Sequence, residues 1–186
     1  MPQDLRATFA GTLQRIHRGG SFVGSGSVSL PVGSIRVAGM GLLPLPIVPA
    51  TATALAALGA PAPYGRGYET LHDPTVRSCL QLEEDCVTLD DERWQVLLHT
   101  ICADALHSLG ADVEAHLSLY KLLVYRPGDF FVPHRDTEKV PGMFGTLVLS
   151  LPSEHEGGEL VVAHGDEQAR LPLRSNDLGL GHWAAF

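Results

Sequence analysis

Cysteine is scarce in this chain, and the few cysteines present do not form a recognisable disulfide framework or metal site. Only Cys79, Cys86 and Cys102 occur among the 186 residues. Their number is odd and their spacing lacks the paired pattern of a zinc site, so we interpret them as free thiols. Free thiols are typical of a reducing compartment, and the sequence therefore predicts a cytoplasmic protein.

Basic residues are also few. The chain has 13 lysines and arginines against 21 aspartates and glutamates, which gives a formal net charge of −8 at pH 7. This balance argues against a broad nucleic-acid-binding surface, although a small basic pocket remains compatible with it. Hydrophobic residues make up 45% of the chain and charged residues 18%, which is typical of a globular protein and not of a disordered one.

Long apolar runs are missing. The longest, at residues 50–58, is rich in alanine and too short to span a bilayer. The first four residues lack a basic region followed by an apolar core, so we expect no signal peptide. The sequence therefore predicts no membrane partner.

The length of the chain suits one domain covering residues 1–186. We expect three parts within it: a flexible or partly ordered N-terminal segment (1–34), a helical support region (35–110) and a strand-rich core (111–186). The stretch Ser21–Ser34 is rich in glycine and serine and predicts a mobile loop or the turns of a small hairpin.

Hydrophobic periodicity places the main elements. The clearest helix is predicted at Asp91–Leu109, capped by Asp90 or Asp91 and ended by Gly110. Its apolar stripe consists of Trp94, Leu97, Leu98, Ile101, Ala105 and Leu109. An alanine-rich helix is expected at 52–58. Short strands are expected at 35–38, 76–82, 113–125, 145–151, 160–163, 169–173 and 183–186. Helices packed on an antiparallel sheet give an α+β fold.

The segment Phe130–Thr137 is the most informative in the chain, because it holds His134 and Asp136 one residue apart. On a strand, side chains separated by one residue project from the same face, so an imidazole nitrogen and a carboxylate oxygen can reach one point. Two histidines and one carboxylate, with open coordination positions, are the ligand set of non-haem Fe(II) oxygenases. A histidine that is simply hydrogen-bonded to its neighbouring aspartate is the alternative.

The segments around this pair follow in a recognisable order. Tyr125-Arg126-Pro127-Gly128 precedes Pro133-His134-Arg135-Asp136, and Thr146-Leu147 and Gly157-Gly158-Glu159-Leu160 follow it. This order resembles the iron- and 2-oxoglutarate-dependent dioxygenase superfamily, in its prolyl 4-hydroxylase-like branch. The resemblance runs from about Leu119 to Val162 and is looser upstream, at residues 62–67 and 76–77.

The resemblance implies a double-stranded β-helix, which is a form of jelly roll, with N-terminal helices packed on the sheet. It implies Fe(II) held by His134 and Asp136, with 2-oxoglutarate as cosubstrate and O2 as oxidant. The substrate would be a prolyl residue of a protein, another peptide or a small molecule, hydroxylated at a C–H bond. By the same analogy Tyr125 donates its hydroxyl to 2-oxoglutarate and Thr146 lines the same pocket. A core tyrosine with a hydrogen-bonded hydroxyl is the alternative for Tyr125.

The third iron ligand is not evident. In the family, a second histidine follows an aromatic segment like Trp183-Ala184-Ala185-Phe186, and a later basic residue anchors the distal carboxylate of 2-oxoglutarate. The sequence stops at Phe186, so we expect that histidine, the basic residue and the last strands to be missing. His182 lies in the right region but out of register, and His155 and His164 lie further off. A histidine from a partner chain is the remaining option.

These expectations leave alternatives open. An incomplete barrel would expose a sheet edge and favour a homo-oligomer. A non-catalytic jelly-roll binding module, or an oxygenase fragment without a complete metal site, would also fit the missing ligand. A cupin-like metal enzyme that does not use 2-oxoglutarate is disfavoured by Tyr125 and by the sequence around His134.

Overall fold

The structure is a computed structural model that describes residues 19–66, 69–174, 177 and 179–186. Residues 1–18 of the predicted N-terminal segment therefore lie outside the described residues. Within the described part of the chain the fold is α+β, with two helices and many short strands that pair almost entirely antiparallel. No helix in this part of the chain is long and apolar enough to cross a bilayer.

The two helices are α1 (Pro49–Leu58) and α2 (Arg93–Leu109). As predicted, Gly110 ends α2 in the left-handed conformation (φ 65°), which glycine adopts without a steric penalty. The predicted side-chain cap at its start is absent: Glu92 occupies the N-cap position, and Asp91 instead accepts a hydrogen bond from the Arg93 backbone N–H at 2.8 Å. Helix α1 begins three residues earlier than predicted, because Pro49 suits the first turn of a helix.

Fifteen strands are described, and most have two to five residues. They are β1 (Gly24–Ser29), β2 (Ile35–Val37), β3 (Gly41–Leu42), β4 (Ala60–Pro61), β5 (Tyr64–Arg66), β6 (Glu69–Leu71), β7 (Arg77–Ser78), β8 (Leu80–Glu83), β9 (Val87–Leu89), β10 (Lys121–Val124), β11 (Phe130–Phe131), β12 (Leu147–Ser150), β13 (Leu160–His164), β14 (Glu167–Leu171) and β15 (Leu180–Ala185). They form six small sheets, in the orders β1-β15-β12, β10-β8-β4, β3-β2-β9, β11-β7, β13-β14 and β5-β6. Within the described residues these sheets do not close into a barrel.

The strand content differs from the prediction in two places. The region 35–110 was expected to be a helical support, but strands β2 to β9 lie within it beside the two helices. The expected long strand at 113–125 shrinks to β10, because only Lys121–Val124 finds a partner, in β8.

The sheet β1-β15-β12 is the part of the fold that positions the site. Its central strand β15 pairs Trp183 with Gly26 of β1 and Leu149 of β12, which puts these three residues on one face. That face is covered by α2, since Trp183 and Ala185 form a buried cluster with Ile101 and Ala105. The stripe predicted for α2 is therefore confirmed as the helix-to-sheet contact.

Strand β1 corrects the expectation of a mobile loop or small hairpin at Ser21–Ser34. Six residues of that stretch pair with β15. Its glycines let the strand approach closely, because a Cβ at Gly26 would lie 2.7 Å from Trp183 Nε1 and one at Gly24 would lie 2.7 Å from Ser108 Cβ. Glycine is thus used here for close packing and not for flexibility.

A second, larger core cluster lies under α1, β2, β8 and the start of α2. Its buried members are Leu30, Ile35, Val37, Leu43, Leu55, Leu82, Trp94 and Val124. The indole of Trp94 donates a hydrogen bond to Ser34 Oγ at 2.7 Å, so the polar atom of this buried ring is satisfied.

Candidate functional site

His134 and Asp136 lie just beyond β11. Phe130 and Phe131 of that strand pair with β7, and the backbone N–H of Val132 still donates to Val76 O at 3.0 Å. Beyond Val132 the chain stays irregular up to β12, so His134 and Asp136 lie three and five residues after the strand. The expectation that the pair lies on a strand is therefore wrong.

The two side chains nevertheless lie on the same side of the chain, although no strand imposes this. His134 Nε2 is 3.3 Å from Asp136 Oδ1, and the side chains are 40% and 37% exposed. Two atoms held by one metal ion at about 2.1 Å in adjacent octahedral positions lie about 3 Å apart. The two donor atoms therefore have the spacing that one metal ion requires, with a face open to solvent.

The atoms of the pair that point away from this face are both anchored. His134 Nδ1 lies 3.0 Å from the carbonyl of Val132, which can only accept, so in this contact Nδ1 is the donor. A metal ion held at Nε2 would leave this Nδ1–H contact in place. Asp136 Oδ2 accepts a hydrogen bond from Thr146 Oγ1 at 2.7 Å. Metal-binding histidines and carboxylates in proteins are oriented by such outer partners.

Thr146 reaches Asp136 from the sheet. Its backbone exchanges hydrogen bonds with Phe186 at 2.8 and 3.1 Å, directly before β12. Leu147 and Leu149 pack toward α2, so Thr146 projects from the opposite face of the sheet, toward Asp136. The residue predicted to line the cosubstrate pocket therefore contacts the carboxylate of the candidate metal site.

Without a metal, His134 and Asp136 each stabilise the charged form of the other. The hydrogen bond to Asp136 raises the pKa of His134 above its usual value, and burial only partly opposes this. The hydrogen bond from His134, together with the one from Thr146, lowers the pKa of Asp136 despite its burial. A cation bound by both residues would take the place of the imidazolium proton.

The face of His134 is covered by an aromatic ring. The imidazole stacks on Phe131 with ring centroids 3.5 Å apart and an interplanar angle of 17°. The Arg77 guanidinium carbon lies 4.4 Å from the centroid of the same Phe131 ring. Sequence patterns assigned Arg77 no role in the site, because contacts between strands distant in sequence leave no periodic signal.

Tyr125 lies next to this stack. About half of its surface is exposed (49%), but its hydroxyl contacts Cys79 and Arg77. Burial of the phenol, reinforced by Cys79 and partly opposed by Arg77, raises the pKa of Tyr125 to about 12. The hydroxyl is protonated at neutral pH, as in an ordinary tyrosine, and the raised pKa keeps it a hydrogen-bond donor well into the alkaline range.

No third ligand joins the pair within the described part of the chain, where no group of three or more His, Cys, Asp or Glu side chains has the arrangement of a metal site. His155 Nδ1 lies 3.2 Å from Ser153 Oγ, and His164 stacks on Phe22. His182 projects from the same sheet face as Thr146, but its partner Ser150 lies four residues along β12, or about 13 Å. Its Nε2 is buried and has no hydrogen-bond partner among the described residues.

The turn before β11 is held by Asp129. Its Oδ2 accepts from the backbone N–H and Nε of Arg126 at 2.9 and 3.0 Å, and its Oδ1 accepts from Ser78 Oγ at 2.8 Å. Burial by itself would raise the pKa of this carboxyl, but the hydrogen bonds from Arg126 and Ser78 outweigh burial and lower it. Asp129 thus ties the turn to β7 and sets where β11 begins.

We expect Asp129→Asn to destabilise the fold by about 1–2 kcal/mol at pH 7, since charge-assisted hydrogen bonds are lost. The lowered folded-state pKa means that the carboxylate's contribution is complete above its unfolded value, near 3.9, and is lost as pH falls through the folded value. Urea unfolding of both proteins from pH 7 to pH 2 should show the difference shrinking at low pH. An equal difference at both ends would contradict this, and the exposed Asp112→Asn is the matched control.

Comparisons with known proteins identify no relative of this chain. No protein-family model matches the chain, and no curated protein or solved structure matches it.

Proposed function

We propose that this protein is an Fe(II)- and 2-oxoglutarate-dependent dioxygenase that hydroxylates a C–H bond. The observation that carries the proposal is the paired geometry of His134 Nε2 and Asp136 Oδ1, 3.3 Å apart. Each donor is oriented from behind, by Val132 O and by Thr146 Oγ1, as metal ligands are. The sequence order around the pair, from Tyr125 to Leu160, supplies the assignment to this family.

In this proposal His134 and Asp136 provide two protein ligands, and the third is not among the described residues. When bound, Fe(II) with 2-oxoglutarate and O2 supplies the oxidant that places a hydroxyl on the substrate, while 2-oxoglutarate is converted to succinate and CO2. The protein holds the ligands and presents the substrate to the open face of the pair. Tyr125, which is neutral at pH 7 and whose raised pKa keeps it so at higher pH, donates its hydroxyl to a carboxylate of 2-oxoglutarate.

We also propose that the strands belong to a jelly roll. The support is a sheet, β1-β15-β12. One face of this sheet is covered by α2, and the Thr146 hydroxyl on its other face contacts Asp136.

By analogy with this enzyme family, the substrate is a prolyl residue, another peptide group or a small molecule. The three free cysteines support a cytoplasmic location. We also propose that the protein self-associates through β12, because the outer edge of this strand has no partner strand in the described residues.

The direct test is succinate release from 2-oxoglutarate by purified protein, assayed with Fe(II) and O2 and after removal of each. We expect release only when both are present, and we expect a chelator to abolish it. Metal content measured after anaerobic loading with Fe(II) gives a second, activity-independent readout. Protein that retains no iron and releases no succinate would overturn the proposal.

A non-catalytic binding module is the second candidate. The direct contact between His134 Nε2 and Asp136 Oδ1, with no third ligand beside it among the described residues, favours it. The raised pKa of His134 and the lowered pKa of Asp136 follow from that contact in the metal-free protein. The two functions differ in what Fe(II) does to His134: a metal ligand loses its titration in the presence of Fe(II), whereas an ion pair keeps it. NMR titration of the histidine ring, with and without metal, separates the candidates.

A further inference from the structure

Three side chains form a layered stack at the candidate metal site, two from β11 and the segment after it and one from β7. The His134 ring covers one face of Phe131 at 3.5 Å, nearly parallel to it. The Arg77 guanidinium lies over the same ring at 4.4 Å, and since the imidazole occupies the first face, the guanidinium occupies the other. Phe131 is thus held between a cation and a ligand of the proposed metal.

Arg77 is itself fixed on two sides. Its Nη1 donates to Pro63 O at 2.7 Å, and its Nε donates to Cys79 Sγ at 3.1 Å. A planar guanidinium bound at two edges has a set orientation, which a flexible ammonium would lack. Its position above Phe131 therefore depends on the backbone before β5 and on the buried thiol, both of which are parts of the framework.

We propose that Arg77 is a positioning residue for His134 and that it acts through Phe131. The Val132 carbonyl and Asp136 Oδ1 hold the two nitrogens of the imidazole, but these contacts restrain rotation about the line that joins the two nitrogens least. Contact with the face of Phe131 restricts that rotation, and Arg77 keeps Phe131 in place through a cation–π contact. The consequence for metal affinity rests on the proposed function, whereas the orientation of the ring does not.

The first test uses the metal-free protein. Proton NMR of the His134 ring reports its stacking, because the ring current of Phe131 shifts the protons of a stacked imidazole upfield. We expect upfield-shifted His134 ring protons in the native protein and smaller shifts in Arg77→Gln, with Phe131→Leu, which removes the ring current, as the limit. Unchanged His134 spectra in Arg77→Gln would overturn the inference whether or not the protein binds a metal.

The second test measures Co(II) affinity by visible spectroscopy, with Co(II) as the probe for a divalent metal. We expect Arg77→Gln and Phe131→Leu each to weaken binding about tenfold, as loss of an outer partner of a ligand does. The double variant should bind no more weakly than Phe131→Leu alone, because the positioning effect of Arg77 passes through that ring and its direct charge, which lowers the pKa of His134, opposes binding of a cation. The matched control is Arg170→Gln, an exposed arginine paired with Glu159 at 3.7 Å, which should stay within twofold.

The outcomes separate the inference from the function on which it partly rests. If the native protein binds no Co(II) but the His134 spectrum changes in Arg77→Gln, the proposed function fails and the positioning role stands. If the native protein binds Co(II) and Arg77→Gln binds equally well, the positioning role fails. Effects that multiply in the double variant would also overturn it, since they show independent action. Thermal melts of each variant confirm that the proteins compared are folded.

Discussion

Asp136→Ala is expected to abolish Fe(II)-dependent succinate release and to weaken Fe(II) binding by more than about 100-fold, since losing an outer partner alone costs 10–100-fold. Asp136 is the anionic member of the pair, so its loss leaves His134 as the sole described ligand at this point. The alanine also removes the hydrogen bond that raises the pKa of His134, which should return toward its ordinary value. The two effects have one cause and can be measured independently.

The measurement is succinate release together with Fe(II) content, made on Asp136→Ala and on the matched control Asp104→Ala. Asp104 is exposed on α2, away from the site, and its replacement should leave both readouts unchanged. Thr146→Val should lie between these extremes, at a loss of roughly tenfold in affinity, because it removes only the hydroxyl that orients Asp136 Oδ2.

Normal decarboxylation by Asp136→Ala would remove Asp136 from the proposed ligand set. A fall in the pKa of His134 without any change in metal binding would instead favour the non-catalytic candidate. The ranking of the three variants therefore tests the roles of the carboxylate and of its outer partner separately.

Local sequence patterns predicted the parts of the fold that depend on local geometry. The stripe from Trp94 to Leu109 predicted α2 and its buried face, because a helix repeats every 3.6 residues whatever it packs against. Gly110 predicted the helix end for a similar reason, since a left-handed residue is a property of one position. The single-residue spacing of His134 and Asp136 predicted a shared side only for a pair on a strand. The two side chains meet in an irregular segment, where Val132 O and Thr146 Oγ1 orient them.

Features that depend on distant partners were missed. The glycine-serine stretch Gly24–Ser29 carries no apolar alternation. It forms a strand because it pairs with β15, and Gly26 leaves the room that the Trp183 indole occupies against the backbone. Arg77 lies 57 positions from His134 in the sequence, and only the pairing of β7 with β11 brings the two together. The sequence contains no periodic signal for such contacts, so they follow from topology.

Trp183→Ala is expected to cost about 3–5 kcal/mol of unfolding free energy, the range measured when large buried aromatic side chains are removed. Trp183 is 3% exposed and packs with Ile101 and Ala105 of α2, while its indole lies against the backbone of Gly26. Its removal leaves a cavity between the helix and the sheet that carries Thr146. A domain of this length should lose roughly 6–20 °C in Tm.

Urea unfolding and thermal melts of Trp183→Ala measure this loss, and Phe144→Ala is the matched control. Phe144 is 62% exposed, so its truncation should change stability by no more than about 0.5 kcal/mol. A loss below about 1 kcal/mol for Trp183→Ala would mean that α2 does not depend on this sheet for its packing. Because β15 holds Phe186 opposite Thr146, the same variant should also loosen the hydrogen bond from Thr146 to Asp136. Weaker metal binding in the still-folded variant would then connect the helix-to-sheet core to the candidate site through one strand.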